Sequence, residues 1–472
     1  MRIDRPAEGW RSDHILDRLA NSFDIGNLKI ALVNVMSFVV IAILSGSPKT
    51  AIFLATYTLV TFAYIRWLDL CNSERLRAWM YFTFLFGHAA AFLLLQHRGF
   101  IGILNIENAT APKTLPYLVG FSFYILQTLT ICGAVYRRFI EPLNLQRYIL
   151  ALTFCGAFLA GPLFNHAEIK KFRTLDINLP SLESIYAGLH LLLGALLFKL
   201  VIANWLAQWV DINETASPLA VTRSIGAFEL QVYFDFAGYS LIALFICRIF
   251  AVPMYFNFHH PFAARDIPEF WRRWHVGLGT WFKENVFLPL RAAMGTKWAA
   301  RSVGPLAVFF VSAAWHGPTR NFLSWGLFHG LAFLFAIHVI SRTTHLWVGR
   351  LLSRLFVFVV IFYGRLLFMD SNVPRLMMKF RSLGMFKRLV HEFIDIVPTT
   401  LETWQAMLLT HWDHVAVGLL MGFFIAYEVL HPAARSGEPY QYFKPGVVSV
   451  LMFIVILLFF KPMSGSGFVY GR

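Results

Sequence analysis

The sequence predicts an all-α polytopic membrane protein, and three observations carry that prediction. Of the 472 residues 57% are hydrophobic and only 14% charged, more apolar surface than a soluble fold of this length could cover but what lipid accommodates. Apolar runs recur along the whole chain at roughly the 17–25 residues that a membrane-crossing helix needs. Lys and Arg collect between those runs and give a formal net charge of +15, as expected when basic loops are retained on the cytoplasmic side. No interruption is long enough for a separate soluble domain. The expected organisation is therefore an N-terminal amphipathic surface segment, 1–28, followed by a single membrane domain, 29–472.

The apolar runs fall at 29–45, 51–67, 79–96, 117–135, 148–165, 185–210, 224–250, 303–316, 322–340, 352–369, 413–430 and 446–461. They predict about eleven or twelve membrane helices. Residues 1–28 are charged and mixed, without the apolar core of a cleavable signal peptide. Arg66, Arg75 and Arg77 follow the second run, and Arg137, Arg138 and Arg147 follow the fourth, which places both loops and the N-terminus in the cytoplasm. Two stretches break the pattern. Residues 251–302 are rich in Trp, Arg and Pro, and residues 371–412 mix charges with Leu, Met and Trp, so both predict in-plane or re-entrant segments. No internal repeat stands out, which counts against an inverted-repeat transporter. Cys71, Cys132, Cys155 and Cys247 have no metal-ligand spacing and read as buried thiols, so no metal site is expected. Nucleic-acid binding is disfavoured too, because no basic tail stands apart from the membrane segments.

Ionisable groups buried in the apolar runs are the first functional candidates, since each costs several kcal/mol unless it faces protein or a wet cavity. Glu229 and Asp235 lie well inside the run 224–250. Gln231, Asp235 and Tyr239 share one helix face at i, i+4 and i+8, and Glu229 points elsewhere. They either hold the bundle together or line a path through it. Gly238 beside them suits a close approach between helices. Further on, Asp266 and Pro268 signal a helix start. From Phe270 a helix would carry Trp271, Trp274, His275, Leu278, Trp281 and Phe282 on one stripe, with Arg272, Arg273, Gly279, Thr280 and Lys283 mostly on the other. His275 thus sits on the apolar stripe, either as a core residue with one hydrogen bond or as a working group.

The stretch VSAAWHGPTRNFLSWGLFHG, residues 311–330, carries a sharper signal. The apolar run before His316 begins near Arg301, and fifteen helical residues at ~1.5 Å each reach roughly 22 Å, short of a hydrocarbon core about 30 Å thick. Gly317 and Pro318 stop the helix there. Irregular backbone at membrane depth is tolerated only in protein or beside a water-filled cavity, so the sequence asks for a cavity at His316. The carbonyl end of a helix favours a charged imidazole while burial opposes it, a balance suited to a general base. The other reading is a histidine capping the last carbonyls. His329 lies inside the next run, where helix packing is the plainer role.

The ordered set FDFAGYS (234–240), PEFWRRWHVGLGTWFKENVFLPL (268–290), WHG (315–317) and FHG (328–330) resembles the membrane-bound O-acyltransferase (MBOAT) superfamily. Its spacing looks like the bacterial polymer-modifying branch, which includes the teichoic acid D-alanylation and alginate O-acetylation membrane proteins. LAGPLFNHAEIKKF (159–172) and the terminal GFVYGR are similar to segments of that branch, and the specific motifs cover about residues 150–340. The resemblance implies a ring of membrane helices around a thinned central tunnel. It implies that His316 is the catalytic histidine and His275 a second one. Asp235, Tyr239, Trp274, Trp315 and His329 are candidate tunnel or supporting residues. It implies no bound cofactor but a thioester donor, phosphopantetheine on an acidic acyl or D-alanyl carrier protein or acyl-CoA. Arg265, Arg272, Arg273 and Lys283 are candidates for docking that carrier. The acceptor would be a hydroxyl of an extracytoplasmic polymer or lipid-linked glycan, reached from a multi-pass protein of the cytoplasmic (inner) membrane, with room for a periplasmic transferase partner. YFDFAGYSLIA, with Leu241 after the YS, looks closer to the D-alanylation type. WRRWHVGLGTW resembles the O-acetylation type as much, and Lys283-Glu284 replaces the usual Arg-Asp pair. The rival class is a transporter or flippase whose buried charges line a conduction path.

Overall fold

The computed structural model describes residues 25–45, 48–96, 120–158, 161, 163–177, 180–294, 296–396, 400–410, 412–430 and 452–457. Most of the segment 1–28, most of the last apolar run and the GFVYGR end lie outside the described residues. The regular elements described are all helical. Six of them are long and apolar enough to cross a membrane: Gly26–Leu44, Pro48–Leu70, Leu182–Ala207, Pro218–Ile249, Arg320–Arg342 and Trp347–Met369. Phe121–Tyr136 and His414–Leu430 are shorter apolar helices beside them. Large apolar side chains such as Val35, Ile43, Leu327, Leu351 and Leu355 stand exposed on the outer faces, where lipid takes the place of a protein core. The chain is a multi-pass membrane protein.

Pro218–Ile249 is the axis of the fold, with 67% of its apolar window buried against 28–50% in the other five. Ser217 caps its start by accepting from the Ala220 N–H, and Pro218 takes the first helical position. It packs against Leu182–Leu196, the π-helical stretch Leu197–Ala203 and Trp347–Met369. Gly238 makes the first of these contacts possible. A Cβ there would come within 3.0 Å of the Ala195 carbonyl oxygen, as its small size suggested.

Three stretches depart from the expectations. The run 148–165 is not one span: its helix is Leu145–Thr153, after which the chain turns. The Gln127 side chain stabilises the turned chain by pairing with Phe164, donating to its carbonyl (3.1 Å) and accepting from its N–H (2.8 Å). Buried irregular backbone is thereby satisfied. The expected single helix from Phe270 is broken into Ile267–Arg273 and Val276–Phe282, followed by Lys283–Phe287 and Leu288–Ala293. And several basic residues assigned to loops hold the fold. Arg77 is fully buried and donates to the carbonyls of Leu68 (2.8 Å) and Val135 (3.2 Å). Arg147 donates to those of Phe172 (2.6 Å) and Leu175 (2.8 Å). The positive-inside argument then rests on the exposed Arg66, Arg75 and Arg138.

The stretch 371–412 forms short helices, Val373–Leu383, Phe386–Ile396 and Leu401–Thr410. Asp370, buried, anchors the first by accepting from Arg375 (2.7 Å) and Lys379 (2.8 Å). Met377, Met378, Phe386, Phe393 and Ile394 are exposed, as an in-plane segment requires.

Candidate active site

A cavity of about 540 Å³ opens where five parts of the chain converge. The central helix contributes Glu229. The broken segment contributes Trp271, Arg272, Trp274, His275 and Lys283. Pro305, Phe309, Ser312 and His316 come from Lys297–His316. Trp325 and His329 come from the next helix, and Arg365 and Phe368 from Trp347–Met369.

His316 is the last residue of its helix. The Gly317 N–H donates to the Ala313 carbonyl (3.0 Å) and closes the final turn, and the next helix begins at Arg320. The helix starts earlier than the apolar run suggests, at Lys297, so its 20 residues reach about 30 Å. Helix length therefore does not hold His316 short of the far surface, as the sequence argument had it; what places the ring beside a cavity is the convergence of helices around it. Phe368 lies edge-on at 5.0 Å, Trp325 at 5.6 Å and Phe322 at 5.9 Å.

His275 sits at the break in the expected helix. Its backbone is left-handed, φ 47°, a conformation that costs a non-glycine residue about 1–3 kcal/mol and recurs at functional sites. Asn257 supplies the compensation. Its carbonyl accepts from the Val276 N–H (2.9 Å) and its side-chain oxygen from the Gly277 N–H (3.1 Å). Its side-chain amide in turn donates to Ser240 on the central helix (3.2 Å). The imidazole is buried between Phe236 (4.6 Å, edge-on) and Phe123 (6.2 Å, stacked). Asp266 does cap the preceding helix, accepting from the Glu269 N–H at 2.6 Å.

His329 lines the same cavity and also packs. Trp271 and Trp325 stand 5.0 Å from its ring, and Phe309 stacks at 6.0 Å. Gly364 makes its place, because a Cβ at that residue would fall on the imidazole. Trp274 lines the cavity too; Trp315 does not, though it adjoins His316 and meets Phe123 edge-on at 5.5 Å. Asp235 and Tyr239 are buried but are not among the cavity-lining residues, and Asp235 forms an ion pair with Lys199. The basic candidates divide as well. Arg272 and Lys283 line the cavity. Arg265 and Arg273 instead bracket Glu269 at 3.0 and 2.8 Å, and Arg273 also donates to the His259 carbonyl (2.9 Å).

The residue that sequence reasoning missed is Arg365. It lies inside an apolar run, pairs with Glu229, and its guanidinium sits over Phe368 (5.3 Å), Trp274 (5.5 Å) and Phe228 (5.9 Å). The rule that singled out Glu229, an ionisable group too deep in an apolar span, applied equally to it.

A family model described as MBOAT, membrane-bound O-acyltransferase family, matches residues 50–373. This chain belongs to the membrane-bound O-acyltransferase family. All the cavity-lining residues lie within the matched range. Among similar members of the family, the peptidoglycan O-acetyltransferase of Helicobacter pylori is 30% identical over 233 residues, 48% of this chain and 44% of that one. A probable alginate O-acetylase of Azotobacter vinelandii is 26% identical over 262 residues, 54% of this chain and 51% of that one. A teichoic acid D-alanyltransferase of Streptococcus thermophilus is 23% identical over 315 residues, 63% of this chain and 73% of that one. The chain spans about half the length of the first two of these relatives.

Proposed function

We propose that this member of the family is an enzyme that moves a short acyl group, D-alanyl or acetyl, from a thioester donor to a hydroxyl of a cell-envelope polymer or lipid-linked glycan. The observation that carries the reading is one cavity lined by both His275 and His316, walled by aromatic rings and bordered by three of the helices long and apolar enough to cross a membrane. His316 takes the proton of the acceptor hydroxyl as general base. The oxygen attacks the thioester carbonyl, the new C–O ester bond forms, the C–S bond breaks, and the imidazolium returns its proton to the leaving thiolate. The aromatic wall keeps water, the competing nucleophile, away from the thioester. His275, fixed by its strained backbone, stands where the thioester end or emerging thiol passes.

The donor is phosphopantetheine thioester on an acidic acyl or D-alanyl carrier protein, or acyl-CoA, presented from the cytoplasmic side of the inner membrane. Arg272 and Lys283, basic residues at the cavity, suit that approach by electrostatic steering. A relay in which a separate periplasmic transferase completes the transfer uses the same first step.

The test is thioester discharge by the purified chain with acetyl and D-alanyl donors. His316→Ala should slow discharge by about 10²–10⁴-fold. His275→Asn, which keeps a side chain tolerant of the left-handed backbone, should also slow it while unfolding near the wild-type temperature. An alanine variant as fast as wild type overturns the assignment of His316. Solute flux through wild type and variant alike, without thioester loss, would favour the transporter reading.

A further inference from the structure

The reaction proposed above makes no use of Arg365, yet this residue sets the charge of the cavity beside His316. Its Nε–H donates to one oxygen of Glu229, a bond that uses one of the five guanidinium donors. Glu229 Oε1, the other carboxylate oxygen, is sealed away from solvent without a protein partner among the described residues. Glu229 and Arg365 both line the cavity, with the carboxylate already engaged by the guanidinium. Glu229 is the only carboxylate among the described cavity-lining residues, whereas Arg272, Lys283 and Arg365 are all cationic.

The aromatic surface tells the same story. Faces of Trp and Phe rings are where a ligand ammonium would be received, and two of the cavity-lining rings, Trp274 and Phe368, already carry the Arg365 guanidinium. Phe368 is also the ring in edge contact with His316 (5.0 Å). One aromatic ring therefore separates a fixed cation from the proposed base. An acyl group bearing an ammonium would meet a guanidinium there and no free carboxylate, while a neutral acyl group would meet only hydrogen-bond donors. Leu241, the residue that turned the motif toward the D-alanylation type, is fully buried and does not line the cavity.

We infer that Arg365, held in place by Glu229, makes the cavity select thioesters whose acyl group carries no ammonium, an acetyl-type donor over an aminoacyl one. This rests on the acyl-transfer reading and narrows its substrate. The experiment compares three thioesters on the same pantetheine arm, acetyl, D-alanyl and lactyl, discharged near pH 7 by the full chain in detergent. Lactyl matches alanyl in size with a hydroxyl in place of the ammonium. Wild type should discharge acetyl at least about tenfold faster than D-alanyl, because like-charge juxtaposition is costly, and should accept lactyl nearly as well as acetyl. Arg365→Gln should narrow the acetyl-to-alanyl ratio to within about threefold, and Arg365→Lys, which keeps the charge, should retain most of it. Ratios are unaffected by a smaller folded fraction, since both rates fall together. Equal wild-type rates for acetyl and alanyl, an unchanged ratio in Arg365→Gln, or rejection of lactyl as strong as that of alanyl would each overturn the inference and leave acyl transfer standing. If wild type discharges none of the three, the acyl-transfer reading itself fails and takes this inference with it.

Discussion

Two buried ion pairs branch from one helix and do different things. Glu229 and Asp235 both sit on Pro218–Ile249, six positions apart, which turns them about 120° from one another around the axis. Asp235 meets Lys199, on the π-helical stretch Leu197–Ala203, next to the close contact at Gly238. Glu229 meets Arg365, which lines the cavity. The residue types are nearly the same and so is the burial of the two carboxylates. What differs is whether the partner looks into protein or into a space that a substrate can occupy. A buried charge in a membrane helix therefore marks either a joint or a site, and only the surroundings of its partner tell which.

The largest effect that would test this contrast is at the joint. Asp235→Asn leaves the half-buried Lys199 without its counter-ion, which should cost about 3 kcal/mol, the low end for breaking a buried pair. Thermal unfolding in detergent should show the loss, while thioester discharge per folded molecule stays near wild type. A variant that kept its unfolding temperature but lost turnover would move Asp235 from the joint to the site.

A third buried carboxylate, outside the membrane spans and shared by two cations, adds a pH dependence to the comparison. Burial pushes the Asp370 carboxyl up, but hydrogen bonds from Arg375, Lys379 and the Asn372 N–H together outweigh it and hold the group at about 2, against an ordinary 3.8. A carboxyl lowered by folding contributes stability that is present above its unfolded value and lost as pH falls through the folded one. Between pH 4 and pH 2 the wild type should lose about 2 kcal/mol from this group. The unfolding temperature of Asp370→Asn, lower throughout because the buried Lys379 loses its counter-ion, should fall less over that window. Parallel curves for the two proteins would show that Asp370 is not the titrating group.

These contrasts also show what the sequence could tell and why the rest was hidden. The start of the helix at Asp266 and Pro268, and the end of another at His316, are written in neighbouring residues, because capping and Gly-Pro breaks act within one turn. The close approach at Gly238 was legible for a similar reason. The break at His275 was not. Periodicity ran through it without interruption, and the acceptors that hold the two amides after it belong to Asn257, in the loop before that helix. The turn after Thr153 was hidden likewise, because it depends on Gln127 from another helix. Depth flagged Glu229 and Asp235 alike, and only packing separates the lysine inside the fold from the arginine at the cavity.

The smallest expected change in stability, and the sharpest test of the contrast, is Glu229→Gln. The amide can still accept from the Arg365 Nε–H, and the guanidinium keeps its aromatic neighbours Phe228, Trp274 and Phe368. The cost should be about 1–2 kcal/mol, that of weakening a charged hydrogen bond, well below the loss at Asp235. The effect on chemistry should run the other way. Removing the carboxylate leaves the cavity more positive, so discharge of an ammonium-bearing thioester should fall further while that of acetyl holds. The preference for the neutral donor should therefore widen in Glu229→Gln and shrink in Arg365→Gln, opposite shifts from the two ends of one ion pair. A purely structural pair would move neither ratio. Equal losses of stability at Glu229 and Asp235, with both donors affected alike, would make the two pairs the same kind of joint.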